Sequence, residues 1–298
     1  MPLIVNADDF GLTPGVNRSI AELHRAGALS SATLMATGAF FDDAVAQAQA
    51  NPTLEIGCHI LLVDGTPVLP PEQIPSLVCP NGQLRDTLTH FVRDLFTFRI
   101  KPEEITAEAT AQIRRLQSAG LHVSHIDTHK HTHLFSGIAR PLLAAARTCQ
   151  IPAIRNPFEP DWALRATKGS ATQLRRLAVV ALQSQHQAFQ RAVRDSGLAT
   201  TSGTIGVLAT GGLNVNETLR RLLAAMPDDP TAAQPQIWEL VCHPGYLDAQ
   251  LDQVRTRLRA SRAQEHAALL ELLPAIPLAS WASLAGPHPS SESHPAAQ

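Results

Sequence analysis

The chain has 298 residues, 44% of them hydrophobic, and a formal net charge of −2 at pH 7. This size allows a large buried core, and no apolar run approaches the length of about 18 residues that a membrane-spanning helix needs. The near-neutral charge disfavours nucleic acid as a partner. Because Met1 and Pro2 run directly into a predicted strand without a leader pattern, we expect a soluble, cytoplasmic protein.

Short apolar runs alternate with helical patterns along the chain. Amphipathic stretches such as 14–29 and 102–121 predict helices that end near a glycine. Strands are predicted at 3–9, 30–37, 54–62, 122–129, 153–157, 203–210 and 238–244. This alternation predicts an α/β protein with one TIM-like (β/α) barrel over residues 1–285, complete or one strand short at about seven strands. A doubly wound open sheet is the alternative, but no GxGxxG motif follows the first strand.

Polar side chains stand at the carboxyl ends of five predicted strands, where barrel enzymes gather their catalytic residues. Each has a structural explanation when taken singly, such as a helix cap, a hydrogen-bonded core histidine, or an ion pair from Arg155 to Glu159 or Asp161. Their joint placement favours a functional site. The residues are Asp8 and Asp9, His59, the cluster from His125 to His133, Arg155 and His243.

The segment "SHIDTHKHTH" at 124–133 is the densest of these groups. On an extended strand its alternate residues would all face one side, namely His125, Asp127, His129, His131 and His133. Such a strand would separate the first and last histidines by about 26 Å, too far for one ion. One or two of these residues are therefore expected to be ligands, and the others to bind substrate, support the ligands or face solvent.

Carboxylates and imidazoles together are typical ligands of a divalent metal, and three protein ligands leave a position open for water. A second carboxylate can then take a proton from that water while an imidazolium protonates a leaving group. The pattern therefore predicts metal-assisted hydrolysis. A serine hydrolase is disfavoured because no GxSxG motif is present. A metal-dependent phosphoesterase on the same barrel and a binding protein without catalysis remain alternatives.

Several motifs carry a family resemblance that covers about residues 3–285. They are "NADDFG" (6–11), "GCHI" (57–60), "HIDTHKHTH" (125–133), "RNP" (155–157) and "CHPG" (242–245). Together they resemble the YdjC/ChbG family of carbohydrate deacetylases, which implies the barrel of polysaccharide deacetylase-like hydrolases. The segment 61–78, "LLVDGTPVLPPEQIPSLV", resembles the hopanoid biosynthesis-associated HpnK branch more narrowly.

The resemblance implies that one divalent ion, magnesium or zinc, is bound by three residues from three strands. The matching positions are Asp9, His59 and His129. Asp8 matches the general base of the family. The implied reaction is hydrolysis of an N-acetylated amino sugar with release of acetate. The weaker matches are His243, as the acid that protonates the departing amine, and Arg155, as the residue that orients the base.

The other members of the histidine-rich segment are predicted to shape the rim where the sugar binds. These are His125, Asp127, His131 and His133, with Asp127 expected to orient a neighbouring imidazole. The resemblance also suggests a homodimer.

A helical insertion near 161–200 bears on the substrate. Its span 162–194 carries Arg165, Lys168, Arg175, Arg176, Arg191 and Arg194 without any acidic residue. It is either an ordinary barrel helix with a solvated charged face or a lid that meets an anionic membrane surface. The HpnK resemblance favours a lid, peripheral contact with the inner membrane and N-acetylglucosamine on a hopanoid lipid as substrate, with soluble chitooligosaccharides as the alternative. The tail 286–298 is predicted to be disordered.

Overall fold

The computed structural model describes residues 3–167, 180–212, 216–227 and 236–284. Within these ranges six strands form one sheet in which every neighbouring pair is parallel, in the order β4-β3-β2-β1-β6-β5. The strands are β1 (Leu3–Phe10), β2 (Ser31–Leu34), β3 (Glu55–Ile60), β4 (Val123–Thr128), β5 (Gly203–Ile205) and β6 (Trp238–Cys242). The predicted α/β class is confirmed.

Helices connect the strands and cover the sheet. They are α1 (Pro14–Arg25), α2 (Phe41–Ala50), α3 (Leu88–Phe96), α4 (Pro102–Ser118), α5 (Ser136–Thr148), α6 (Asp161–Ala166), α7 (His186–Ser196), α8 (Asn216–Ala225) and α9 (Arg259–Leu272). Short 3₁₀ turns include His129–Leu134 after β4 and Trp281–Leu284 after α9. In the part of the chain that the structure describes, no helix is both long and apolar enough to cross a membrane.

Local sequence explains how the first βα unit forms. All eight residues of β1 are buried, as expected for a central strand of a parallel sheet. Thr13 caps α1 because its hydroxyl accepts a hydrogen bond from Val16 N at 3.2 Å, and Pro14 occupies the first helical position. The helix ends before Gly27, whose φ of +75° is readily adopted by glycine. The unit places the end of β1 beside the start of α1.

Among the described residues the sheet is a half-barrel that does not close, because the predicted fifth strand at 153–157 does not form a continuous ladder there. Ala153 and Ile154 make only isolated parallel bridges, to Ala199 and Ile126 respectively. Prolines 152 and 157 lack an N–H donor on either side of this segment, which shortens any ladder. Arg155 N nevertheless donates to Ile126 O at 3.0 Å, so the segment runs beside β4 and brings the Arg155 side chain to the sheet.

The segment after α9 packs against the amino-terminal ends of the strands. Trp281 Nε1 donates to Ser31 Oγ at 3.2 Å at the start of β2, and Ala279 N donates to Leu3 O at 2.8 Å. The Trp281 ring also stacks on His125, with centroids 3.9 Å apart and planes inclined by 10°. This end of the sheet is therefore filled by side chains, and polar groups gather at the opposite end.

Helices α6 and α7 fall within the predicted insertion. On α7, Phe189 and Val193 are buried whereas Arg191 and Arg194 are exposed, so this part has the expected amphipathic character. Lys168, Arg175, Arg176 and the tail at 286–298 lie outside the described residues.

Candidate active site

The two aspartates at the end of β1 occupy an irregular stretch of strand. The pairing register with β2 shifts between Ala7 and Phe10, and Asp9 has a φ of +66°, in the left-handed region that non-glycine residues seldom adopt. A regular strand would turn Asp8 and Asp9 to opposite faces. The irregular backbone instead brings the two adjacent carboxylates to the same polar cluster, since His243 lies near Asp8 and His59 lies near Asp9.

Three side chains from β1, β3 and the turn after β4 converge on one point. Asp9 Oδ1 lies 3.6 Å from His59 Nε2 and 3.5 Å from His129 Nδ1, and the two imidazole nitrogens are 3.3 Å apart. A tetrahedral ion with bonds of about 2.1 Å separates its ligands by about 3.4 Å. Asp9 Oδ1 is buried without a hydrogen-bond partner among the described residues. The donor set and its spacing fit a divalent cation.

The strand predicted at 122–129 forms as β4, but the extended geometry considered from His125 to His133 does not continue beyond it. β4 ends at Thr128, and a 3₁₀ turn with φ of +57° at Lys130 and +51° at His131 folds the histidines around the strand end. The turn is held because His133 N donates to Thr128 Oγ1 at 3.2 Å and Lys130 Nζ binds Asp64 Oδ2 at 2.6 Å. The 26 Å estimate for an extended strand therefore does not apply, and strained backbone of this kind is frequent at functional sites.

Arg155 is completely buried and binds three carboxylates. Its NH2 donates to Asp8 Oδ1 at 2.7 Å, its NH1 to Asp8 Oδ2 at 3.0 Å and Asp127 Oδ2 at 2.5 Å, and its Nε to Glu239 Oε1 at 2.7 Å. Burial acts to raise the pKa of Asp8, but Arg155, His59 and His243 together outweigh burial and hold that pKa well below its usual range. Asp8 is therefore an anion with both oxygens engaged.

Asp127 fixes the orientation of His59. Its Oδ1 accepts a hydrogen bond from His59 Nδ1 at 2.8 Å, which leaves Nε2 directed at the point shared with Asp9. Burial acts to lower the pKa of His59, but Asp127, Asp8 and Asp9 outweigh burial and raise it to about 9. The carboxylates of this cluster therefore favour a positive charge beside His59, which a proton or a metal ion can supply.

His243 lies on the other side of Asp8. Its Nε2 is 3.8 Å from Asp8 Oδ2, and its Nδ1 is buried without a hydrogen-bond partner in the described ranges. Its backbone N donates to Glu265 Oε2 at 2.7 Å, which ties the loop after β6 to α9. The imidazole can therefore exchange protons with Asp8 after a small rotation or through a water.

The remaining histidines of the segment differ in their surroundings. His131 Nδ1 and His133 Nε2 are buried without a partner in the described part of the chain, and burial lowers the pKa of His131 to about 3 and that of His133 well below its usual range. Both rings are therefore neutral donors or acceptors near the site. His125 is elsewhere, since it stacks on Trp281 at the amino-terminal end of the sheet, two residues before Asp127 on β4. The structure does not place His125 at the predicted sugar-binding rim.

Comparison with known proteins shows the family to which the chain belongs. A sequence model of the YdjC-like protein family matches residues 2–272. The chain belongs to the YdjC-like family. A carbohydrate deacetylase of Brevibacillus brevis is 34% identical over 248 residues, 83% of each chain, and one of Thermoanaerobacter pseudethanolicus is 26% identical over 249 residues, 84% of this chain and 83% of the relative. The resemblance inferred from the motifs is thus confirmed for the family.

A solved structure shares the fold of this YdjC-like chain. It is a crystal structure of an Enterococcus faecalis V583 protein to which cellobiose-phosphate cleavage is ascribed, with a TM-score of 0.70 and 26% sequence identity. The alignment covers 95% of this chain and 98% of the other.

Sequence reasoning missed four polar residues at the site of this YdjC-like chain. Thr33 Oγ1 donates to Asp127 Oδ2 at 3.1 Å, and Arg262 NH2 donates to Asp9 Oδ2 at 2.5 Å. Burial raises the pKa of Glu239 to about 7 despite the opposing effect of Arg155. A charged residue within an apolar run was an available signal for Glu239. The fourth residue, Glu265, lies between Gln264 and His266 and carries no such signal. Nothing in the local sequence marks Thr33.

Proposed function

We propose that this chain is a metal-dependent carbohydrate N-deacetylase that removes the acetyl group from an N-acetylated amino sugar. The observation that carries the proposal is the convergence of Asp9 Oδ1, His59 Nε2 and His129 Nδ1, at 3.3–3.6 Å from one another. Asp8 and His243 lie at the same end of the sheet, as a pair of proton-transferring groups requires. The two deacetylase relatives support the reaction class.

The ion would be held by Asp9, His59 and His129. When bound, it supplies an acidified water and stabilises negative charge on the amide oxygen. Two imidazoles and one carboxylate suit zinc, and magnesium is the alternative. The second grouping of acidic and histidine residues, Asp8 with His59 and Asp127, does not fit an ion because Arg155 already binds both carboxylates.

The chain's own residues would move the proton. Asp8 accepts it from the attacking water, and because Arg155 keeps Asp8 a weak base, the proton passes readily to another group. His243 Nε2, at 3.8 Å from Asp8 Oδ2, is the acid–base group proposed to deliver a proton to the departing nitrogen. Water adds to the acetyl carbon, the carbon–nitrogen bond breaks, and acetate and a free amino sugar leave.

For the substrate we propose N-acetylglucosamine on a hopanoid lipid, reached at the inner membrane surface by a homodimer. Support comes from the segment 61–78, which resembles the HpnK branch. This segment lies next to the site, because its Asp64 binds Lys130 of the turn that carries His129. The exposed Arg191 and Arg194 of α7 favour an anionic surface. His131 and His133 are proposed to contact the sugar, through nitrogens that lack partners among the described side chains.

The test is a mass-spectrometric assay of the purified protein on N-acetylglucosaminyl lipids and on chitooligosaccharides, before and after chelation and metal reloading. We expect loss of one acetyl group from the lipid, activity that disappears with chelator, and one metal per chain. Asp8→Asn should abolish turnover and keep the metal. Preferred turnover of chitooligosaccharides would assign the soluble substrate instead. Phosphate release, two metals per chain, or ligand binding without any turnover would contradict the proposal.

A further inference from the structure

Arg262 contacts Asp9 although the two residues are far apart in the sequence. It lies on α9, is 1% exposed, and donates from NH2 to Asp9 Oδ2 at 2.5 Å. Its Nε and NH1 have no hydrogen-bond partner among the described residues, so Asp9 is the carboxylate that its side chain engages there. The contact joins residues 253 positions apart, and it occupies one oxygen of Asp9 while Oδ1 faces the two imidazoles.

The backbone of the same helical turn is fixed independently of the Arg262 side chain. Gly245 N donates to Arg262 O at 3.2 Å, and Glu265 Oε2 accepts from His243 N at 2.7 Å. A Cβ at Gly245 would lie 3.2 Å from Arg262 Cδ, so the loop after β6 packs closely on the arginine stem. The backbone and the aliphatic stem of Arg262 are therefore held by contacts that a change at the end of the side chain leaves intact.

A positive charge at 2.5 Å from Asp9 Oδ2 repels a second cation from that oxygen. An ion bound by Asp9, His59 and His129 can therefore contact the Asp9 carboxylate through Oδ1 alone and not through both of its oxygens. Calcium takes six to eight oxygen ligands and often binds a carboxylate through both oxygens, whereas zinc binds four ligands and accepts imidazole. Blocking Oδ2 thus removes a ligand that calcium would use more than zinc.

We infer that Arg262 is a specificity-determining residue of the metal site: it restricts Asp9 to single-oxygen ligation and so disfavours large, oxygen-preferring ions. This inference rests on the proposed metal-dependent function. It goes beyond that function because it concerns which ions the site rejects. In this role Arg262 acts through Asp9 and does not contact the substrate.

The experiment compares metal binding by calorimetry in the full-length chain after the metal has been stripped. Dissociation constants for Ca²⁺ and Zn²⁺ are measured for wild type, Arg262→Gln, Arg262→Lys and the control Arg259→Gln, and binding of Mg²⁺ is also measured for wild type. Arg259 lies on the same helix, is partly exposed, and donates to backbone carbonyls such as Leu251 O at 3.2 Å. Because removal of one positive charge affects both divalent ions alike, the ratio of the two constants isolates the effect of the second oxygen.

For Arg262→Gln we expect the ratio of the Ca²⁺ constant to the Zn²⁺ constant to fall by at least about tenfold. The ratio should stay at the wild-type value in the control and lie nearer to that value in Arg262→Lys, which keeps the charge. An unchanged ratio in Arg262→Gln, with normal zinc binding by wild type, overturns the inference and leaves the proposed function standing. Failure of wild type to bind zinc or magnesium overturns the proposed function itself.

A second measurement covers the case in which Arg262→Gln does not fold. A crystal structure of the zinc-loaded wild type should show the ion contacting Asp9 through Oδ1 alone, with Arg262 still on Oδ2. Contact of the ion with both oxygens of Asp9 would overturn the inference without any variant.

Discussion

Replacement of Arg155 by methionine should destabilise the fold strongly. The substitution keeps an unbranched side chain but removes the charge that binds Asp8, Asp127 and Glu239 at distances of 2.5–3.0 Å, while all three carboxylates stay buried. Breaking a buried ion pair by removing one partner costs about 3–5 kcal/mol. Since domains are stable by about 5–15 kcal/mol, we expect the free energy of unfolding to fall by a large fraction.

The pH dependence of this loss identifies its electrostatic origin. Without Arg155 the buried carboxylates have raised pKa values in the folded state, so the folded protein takes up protons that the unfolded chain does not. Stability carried by a raised pKa is present at low pH and lost as pH rises. Arg155→Met should therefore lose less stability near pH 5.5 than near pH 8, and addition of Glu239→Gln should recover part of the loss near pH 8.

The assay is urea unfolding followed by circular dichroism, with chelator present so that loss of metal does not contribute. Arg165→Met is the matched control, because Arg165 is exposed on α6 and a surface change should stay within about 0.5 kcal/mol. If Arg155→Met were as stable as the control at both pH values, the three ion pairs would contribute nothing net. If it were destabilised equally at both, packing and not charge would be the cause.

Three further predictions concern single groups. Burial raises the pKa of Glu239 from 4.5 to about 7. As pH rises through this window, Glu239→Gln should therefore gain stability on the order of 3 kcal/mol relative to wild type. Parallel urea titrations of the two proteins that show no such gain would contradict the raised pKa. His59→Ala and His129→Ala should lose bound metal in elemental analysis with little change in circular dichroism, whereas His133→Ala should keep it. Full occupancy in the first two would refute the ligand set. His243→Asn should lower kcat with the metal retained, because His243 is proposed to protonate the departing nitrogen. A metal-free variant would make His243 a ligand.

The polar residues at the strand ends could be predicted because the parallel arrangement of the strands could itself be predicted from the sequence. Alternating apolar runs and amphipathic helices predicted β1 and β3, and a common edge for their carboxyl ends follows from parallel pairing. The segment at 153–157 begins with apolar Ala153 and Ile154 but is bounded by prolines, and the structure reduces it to isolated bridges. An apolar run alone does not show whether neighbouring strands on both sides can form a continuous hydrogen-bonded ladder with it.

The histidine-rich segment shows a different limit of sequence patterns. Strict alternation from His125 to His133 suggested a single strand, but the chain leaves the strand after Thr128 through positive φ values at Lys130 and His131. Glycine and asparagine are the usual signals for such angles, and neither residue type occurs there. Tertiary contacts, including the ion pair of Lys130 with Asp64, hold the turn, so local propensity could not predict it.

Adjacent aspartates in one motif are chemically identical in the sequence, and their surroundings separate their roles. Arg155 binds both oxygens of Asp8, which leaves that carboxylate anionic and without a free oxygen for an ion. Arg262 binds only Oδ2 of Asp9, which leaves Oδ1 open toward His59. Two carboxylates side by side would otherwise compete for the same cation. Under the proposed function, two arginines from distant parts of the chain would divide the pair into one proton acceptor and one metal ligand. The motif alone predicts that a pair is needed, whereas under the proposed function the arginines would determine which member binds metal.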